Sequence, residues 1–227
     1  METARGRLAE NSSLVRSMAQ ALVLRAGDDP AAYYRKALQS GVVTRATVAG
    51  LGETGTPDDA DLLRARLPDD RPRIRAAAVR GFRRLLANPA DPRAVEYGRA
   101  LLDDPSPPVV RQAVELLAGR LGPADRQALF DLARTDRPLH VRRGAVVLLR
   151  QVSRWSRLDT DLWLLGTPDE PLAPDAHRDL DDWCRSTSSA FTKPPPDLAA
   201  HITDLLDGLE SRLGATVTTQ LRRTVLA

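Results

Sequence analysis

Four ten-residue segments of this chain align without gaps: Val43–Gly52, Arg73–Phe82, Val109–Ala118 and His140–Leu149. The third position of each is an arginine, and Arg45, Arg75, Arg111 and Arg142 follow one another at spacings of 30, 36 and 31 residues. Recurrence at this period marks a supersecondary unit copied along the chain, each copy too small to bury its own apolar face. The copies read as helices. The position before the arginine is Thr44, Ile74, Val110 and Val141; three after it come Val48, Ala78, Val114 and Ala145; six after come Leu51, Gly81, Leu117 and Leu148. These steps keep the apolar residues on one helical stripe. The recurring small residues suit close helix packing.

Each aligned helix is followed by a second amphipathic stretch: Asp59–Leu67, Pro92–Leu102, Ala124–Ala133 and Leu158–Leu165. Acid- and proline-rich turns precede three of the repeats, at Asp69-Asp70-Arg71-Pro72, Asp103-Asp104-Pro105-Ser106-Pro107 and Asp136-Arg137-Pro138. Acids and serines cap helices and proline fits the first helical turn, so such stretches place helix starts. Upstream, Asn11-Ser12-Ser13 caps a helix that ends at Gly27, and Asp28-Asp29-Pro30 opens another that ends at Gly41. No alternating run predicts a strand.

The unit is thus an apolar helix, an Asp/Pro turn, then Val/Ile-Arg and a small-residue helix closing on Leu-Gly. Asp103 through Gly122 is the fullest copy, and Leu51-Gly52-Glu53-Thr54-Gly55-Thr56-Pro57-Asp58 is a second typical fragment. This pattern resembles HEAT-like repeats, of the short bacterial kind also seen in phycobilin lyases, over residues 40–165. The resemblance implies an all-α, right-handed solenoid of about five helix pairs with atypical terminal helices. It implies one domain: an N-terminal helical cap over 1–41, repeats over 42–165, and a degenerate repeat with a C-terminal cap over 166–227. It also implies a structural role for Arg45, Arg75, Arg111 and Arg142, pairing with acids and carbonyls of neighbouring repeats, with Asp70, Asp104 and Asp136 as expected partners. The C-terminal region fits a decayed copy, because Arg178 lies 36 residues after Arg142. A loop is expected over Ser186–Ser189 and Lys193–Pro196, then helices over Asp197–Leu213 and Thr216–Val225.

Composition narrows the function classes. A single cysteine, Cys184, excludes an internal disulfide framework and a multi-thiolate zinc site. No apolar run approaches a membrane span, and no apolar signal core follows Met1–Arg7, so a cytoplasmic protein is expected. The 33 basic residues include only two lysines, Lys36 and Lys193, against 30 acids. GC-rich codon usage accounts for an arginine bias of this kind, and a phosphate-binding surface is the sharper alternative. Charge is uneven: residues 1–150 hold 25 bases and 18 acids, residues 151–200 hold 5 and 9.

Catalytic signatures are weak. Gly50-Leu51-Gly52-Glu53-Thr54-Gly55 spells the dinucleotide fingerprint, but that chemistry needs a strand before the glycines, and the preceding residues align with helices. A repeat-ending loop is expected there. His140, His177 and His201 lie far apart in sequence, and the acids around Asp175–Asp182 read as a solvated face, with Cys184 packed beside Trp183. Trp155, Asp159 and Trp163 fall at i, i+4 and i+8 on one helix face. That W-x-x-x-D spacing resembles some alkylpurine DNA glycosylases, themselves HEAT-like solenoids that use tryptophans and an aspartate, although packing explains the two tryptophans as well.

The expected function is therefore a non-catalytic protein-binding or scaffold module with no cofactor, no metal site and no membrane association. Nucleic-acid binding, with repair chemistry at Trp155, Asp159 and Trp163, is the alternative, and a lyase-like or chaperone-like role toward a maturing partner is another. The candidate partner-binding residues are Arg83, Arg84, Arg120 and Arg150, eight or nine positions after the repeat arginines and expected as a basic strip on the concave face.

Overall fold

The computed structural model describes residues 2–186 and 193–226. The protein is all-α: among the described residues no strand occurs. It forms two compact units, Met1–Arg120 and Leu121–Ala227. The first holds α1 (Glu2–Arg7), α2 (Ser13–Arg25), α3 (Pro30–Gln39), α4 (Arg45–Thr54), α5 (Ala60–Arg64), α6 (Pro72–Leu85), α7 (Pro92–Arg99) and α8 (Pro107–Leu117). The second holds α9 (Arg126–Ala133), α10 (Leu139–Val152), α11 (Arg154–Gly166), α12 (Ala173–Ser186), α13 (Pro196–Leu213) and α14 (Ala215–Leu226).

Local chemistry sets these boundaries. Ser12, Asp29, Asp91 and Ser153 each accept a hydrogen bond from a backbone N–H of the first turn that would otherwise be unpaired. Thr44 and Thr47 form a reciprocal capping box at the start of α4. Proline opens α3, α6, α7, α8 and α13, where its missing N–H costs nothing. Past α2 the chain reverses at Gly27, whose φ of +83° suits a residue without a Cβ. The expected helices all form. The structure adds α1 and starts α11 four residues earlier than the stripe suggested. Of the expected serine-rich loop, Ser186 closes α12, residues 187–189 lie outside the described residues, and Lys193–Pro195 lead into α13.

In the first unit, α4 packs beside α6 and α6 beside α8, so the aligned helices of successive repeats are neighbours. Their stripe is the core: Val48, Leu51, Ile74, Ala78, Phe82, Leu85, Val110 and Leu117 are buried. Burial of each large member contributes about 1.5–3 kcal/mol. Glycines set the spacing. A Cβ on Gly52 would lie 2.5 Å from the Cα of Gly81, so α4 and α6 approach almost backbone to backbone. A Cβ on Gly50 would lie 2.2 Å from the Tyr34 ring. The literal G-x-G-x-x-G run is therefore mostly helix rather than loop: Gly50 and Gly52 sit inside α4 as packing contacts, and Gly55 is its C-cap. Outside this core, α2 leaves Leu14, Met18 and Leu22 uncovered along one side.

In the second unit α10 packs between α9 and α11, α11 also meets α12 and α13, and α14 packs on α13. Leu148, Leu149, Leu158, Leu162, Trp183, Ile202 and Leu206 fill its interior. Among the described residues no helix is long and apolar enough to cross a membrane.

Ion pairs join consecutive turns. The Arg75 guanidinium donates to both carboxylate oxygens of Asp104 at 2.8 Å and to the carbonyls of Asp69 and Asp70. This is the role implied for the repeat arginine, with Asp104 as expected and with Asp70 contributing its carbonyl rather than its carboxylate. Arg142 is buried and takes the Ala133 carbonyl and Glu170, an acid outside the expected set, while Asp136 of that set stays at the surface near Arg134. Arg45 and Arg111 are exposed and make no ion pair among the described residues, so the expected pairing does not extend to them.

Candidate functional site

In the first unit a groove of about 700 Å³ lies over α2, α4 and α6. Small residues line it, Ala49, Gly52, Ala76, Ala77 and Gly81, among them the two glycines that let α4 and α6 approach. Arg45, Arg73, Arg80 and Arg84 rise around this floor. All four are exposed, and among the described residues none makes an ion pair; Arg80 donates one hydrogen bond to Gln112 at 3.2 Å. The one carboxylate of the groove, Glu53, is already taken. Arg16 grips it through Nε at 2.7 Å and Nη2 at 2.5 Å, and Gln20 adds a third bond at 2.9 Å. Burial acts to raise the Glu53 carboxyl, but these hydrogen bonds outweigh it and hold it below its ordinary value, so it remains a neutralised anion. The groove is left with a surplus of free guanidinium charge over an apolar floor.

Of the four arginines expected to form a strip, Arg84 lines this groove. Arg83 is exposed on α6 but is paired with Glu115 of α8. Arg120 donates to the carbonyls of Leu86 at 2.7 Å and Asn88 at 2.8 Å, closing the end of α6. Arg150 is mostly covered and grips Asp161 at 2.5 Å, with Asp179 beyond it at 3.5 Å. Three of the four thus spend their donors on internal acceptors. The physical reason is that Arg83 and Arg150 reach acids of neighbouring helices and Arg120 reaches the turn after α6. The missed cue was the period of the free arginines: Arg73, Arg80 and Arg84 step by seven and four along α6, a single helix face.

In the second unit the continuous helix α11 carries Trp155, Asp159 and Trp163. Both tryptophans line a second cavity, of about 660 Å³, with Arg126, Phe130, Ser156 and His201. Trp155 packs on Trp183 with ring centroids 5.9 Å apart, and Trp163 meets Phe130 edge to face at 5.4 Å. Asp159 is fully buried behind this wall. One of its oxygens accepts from Arg126 at 2.5 Å, and the other holds Nδ1 of His201 at 2.6 Å. Both oxygens of this carboxylate are thus engaged within the protein. His201 lies 42 residues from Asp159, and nothing in the sequence links them.

The remaining chemical candidates are absorbed by structure. Asp175, Asp179 and Asp182 pair with Arg178, Arg157 and Arg185. Cys184 is half-buried, and burial pushes its thiol up, away from the reactive thiolate. No protein-family model and no curated protein matches the chain.

Proposed function

We propose that this chain is a non-catalytic binding module, a HEAT-like α-solenoid whose first unit holds an acidic segment of a partner protein in the arginine-walled groove. The reading rests on one observation: Arg45, Arg73, Arg80 and Arg84 surround a floor of small residues, and among the described residues none of the four makes an ion pair. Exposed charge of one sign around a shallow apolar floor favours an extended anionic chain, and solenoids characteristically use such elongated surfaces. The side-by-side packing of α4, α6 and α8, and the Arg75–Asp104 link between consecutive turns, support the repeat architecture. Asp159, buried and occupied at both oxygens, favours binding over excision chemistry at α11.

The test is titration with a fluorescein-labelled glutamate- and aspartate-rich peptide, followed by anisotropy at several salt concentrations. Binding is expected to weaken with salt and to fall at least tenfold in Arg80→Glu/Arg84→Glu, both exposed positions whose change leaves the helical circular dichroism intact. An unaffected double variant, or tighter binding of a duplex DNA of matched length, would overturn the assignment; in the DNA case the slope of log K against log salt counts the phosphates neutralised.

A further inference from the structure

Two of the groove's four arginines differ from the other two. Arg45 opens α4, Arg73 is the second residue of α6, and both line the groove. The starts of these helices are neighbours, because Arg71, just before α6, donates to the carbonyl of Val43, just before α4, at 3.2 Å. The Gly52–Gly81 contact lies late in both, so α4 and α6 run side by side in one direction. Among the described residues neither Arg45 nor Arg73 makes a hydrogen bond or an ion pair, whereas Arg80 bonds Gln112 and Arg84 lies in the field of Glu53. Neither first turn carries an acid, and a cation there opposes the helix dipole, so both charges are held against local preference. The acids of the turn before α6 are used elsewhere: Asp69 pairs with Arg71, and Asp70 lines a separate hollow with Arg75. Unspent positive charge is therefore concentrated at the Arg45–Arg73 end.

Charge density selects the ligand. Arg73 and Arg84 bound the groove along α6 and lie about 16 Å apart at 1.5 Å per residue. An extended chain rises about 3.3 Å per residue and turns alternate side chains to one wall, so about three of them face the arginines over that length. Three carboxylates leave one of the four guanidiniums unmatched. A phosphomonoester carries about −1.5 to −2 charges and three acceptor oxygens, which two guanidinium forks can share. Glu53, although gripped by Arg16, remains an anion beside Arg84 and disfavours a dianion at that end. On the acidic-segment reading above, we propose that the bound segment is phosphorylated: its phosphoserine or phosphothreonine sits between Arg45 and Arg73, and its carboxylates lie along Arg80 and Arg84.

Anisotropy titration of the full chain with three fluorescein-labelled peptides tests this. One is glutamate- and aspartate-rich with a central phosphoserine, the second has glutamate at that position, and the third adds one more glutamate to restore the net charge. The phosphopeptide is expected to bind at least tenfold tighter than either of the others. Arg45→Gln/Arg73→Gln, at exposed positions whose change leaves the helical circular dichroism intact, is expected to shrink that ratio below threefold. Arg80→Gln/Arg84→Gln is expected to weaken all three peptides and to keep the ratio. Equal binding of the phosphorylated and charge-matched peptides overturns the phosphate assignment and leaves the acidic-segment reading standing, whereas failure of every peptide to bind overturns both. A tenfold preference that survives Arg45→Gln/Arg73→Gln overturns the placement at the helix starts.

Discussion

Replacing Gly52 by alanine separates two opposed effects in one residue. Inside a helix, alanine is favoured over glycine by up to about 1 kcal/mol, because it loses less backbone entropy on folding. The added Cβ, however, would stand 2.5 Å from the Cα of Gly81, where ordinary contact begins at 3.4 Å. Its neighbour is backbone, so α4 and α6 must part by about 1 Å along a seam that buries Val48, Leu51, Ala78 and Phe82. Overpacking of a tight core costs roughly 1–3 kcal/mol, and the upper end applies where no side chain can swing aside. The net expectation is a loss of about 2 kcal/mol, roughly 10 °C in the melting temperature of the first unit at about 5 °C per kcal/mol. Gly208→Ala is the internal control. It lies exposed within α13, and an added Cβ there meets nothing within 4 Å, so only the propensity gain of up to about 1 kcal/mol remains. Thermal and urea unfolding followed by circular dichroism reads both. A Gly52→Ala protein as stable as the parent would refute the close helix approach and the repeat packing built on it.

Two further expectations concern buried charge. Arg142→Ala leaves Glu170 buried without its partner and is expected to cost about 3–5 kcal/mol in urea unfolding, whereas Arg142→Met/Glu170→Leu recovers most of that loss; equal losses in both variants would refute the pairing argument. Burial above all, then the neighbouring Asp179 carboxyl, pushes the Asp161 carboxyl up to about 8 from 3.8, against the opposing pull of Arg150. A raised folded-state value means its stabilising contribution is complete below pH 3.8 and is lost as pH rises toward 8. Urea unfolding between pH 5 and 8 is expected to show a smaller decline in Asp161→Asn than in the parent, and an unchanged decline would exclude Asp161 as its source.

The helices were legible because their signals are local. Caps such as Ser12 and Asp29, prolines such as Pro72 and Pro107, and the recurring stripe all act within a few residues. The Arg75–Asp104 pair was legible too, because repeat register carries a donor to an equivalent turn. The Arg142–Glu170 pair follows the same register, 28 residues apart where Arg75 and Asp104 are 29, and each acid stands directly before a proline, although Glu170 was not among the expected partners. The candidate sites were read less well. Arg120, in the turn after α8, and Arg150, late in α10, reach internal acceptors, and a count of offsets from the repeat arginine carries no information about which neighbour waits there. The His201–Asp159 contact joins helices packed only in three dimensions, so no spacing announces it.

The Arg75 link has a consequence for anyone who would shorten or lengthen this chain. Its guanidinium is seated on the carbonyls of its own turn and the carboxylate of the turn after it. A cut that keeps α6 but discards residues beyond Leu102 strands a mostly buried cation, and one that keeps Asp104 without α6 strands its counter-ion. The natural module for grafting is therefore not the helical hairpin but the stretch from one acid-bearing turn through the next, so that each insertion brings its own lock and key.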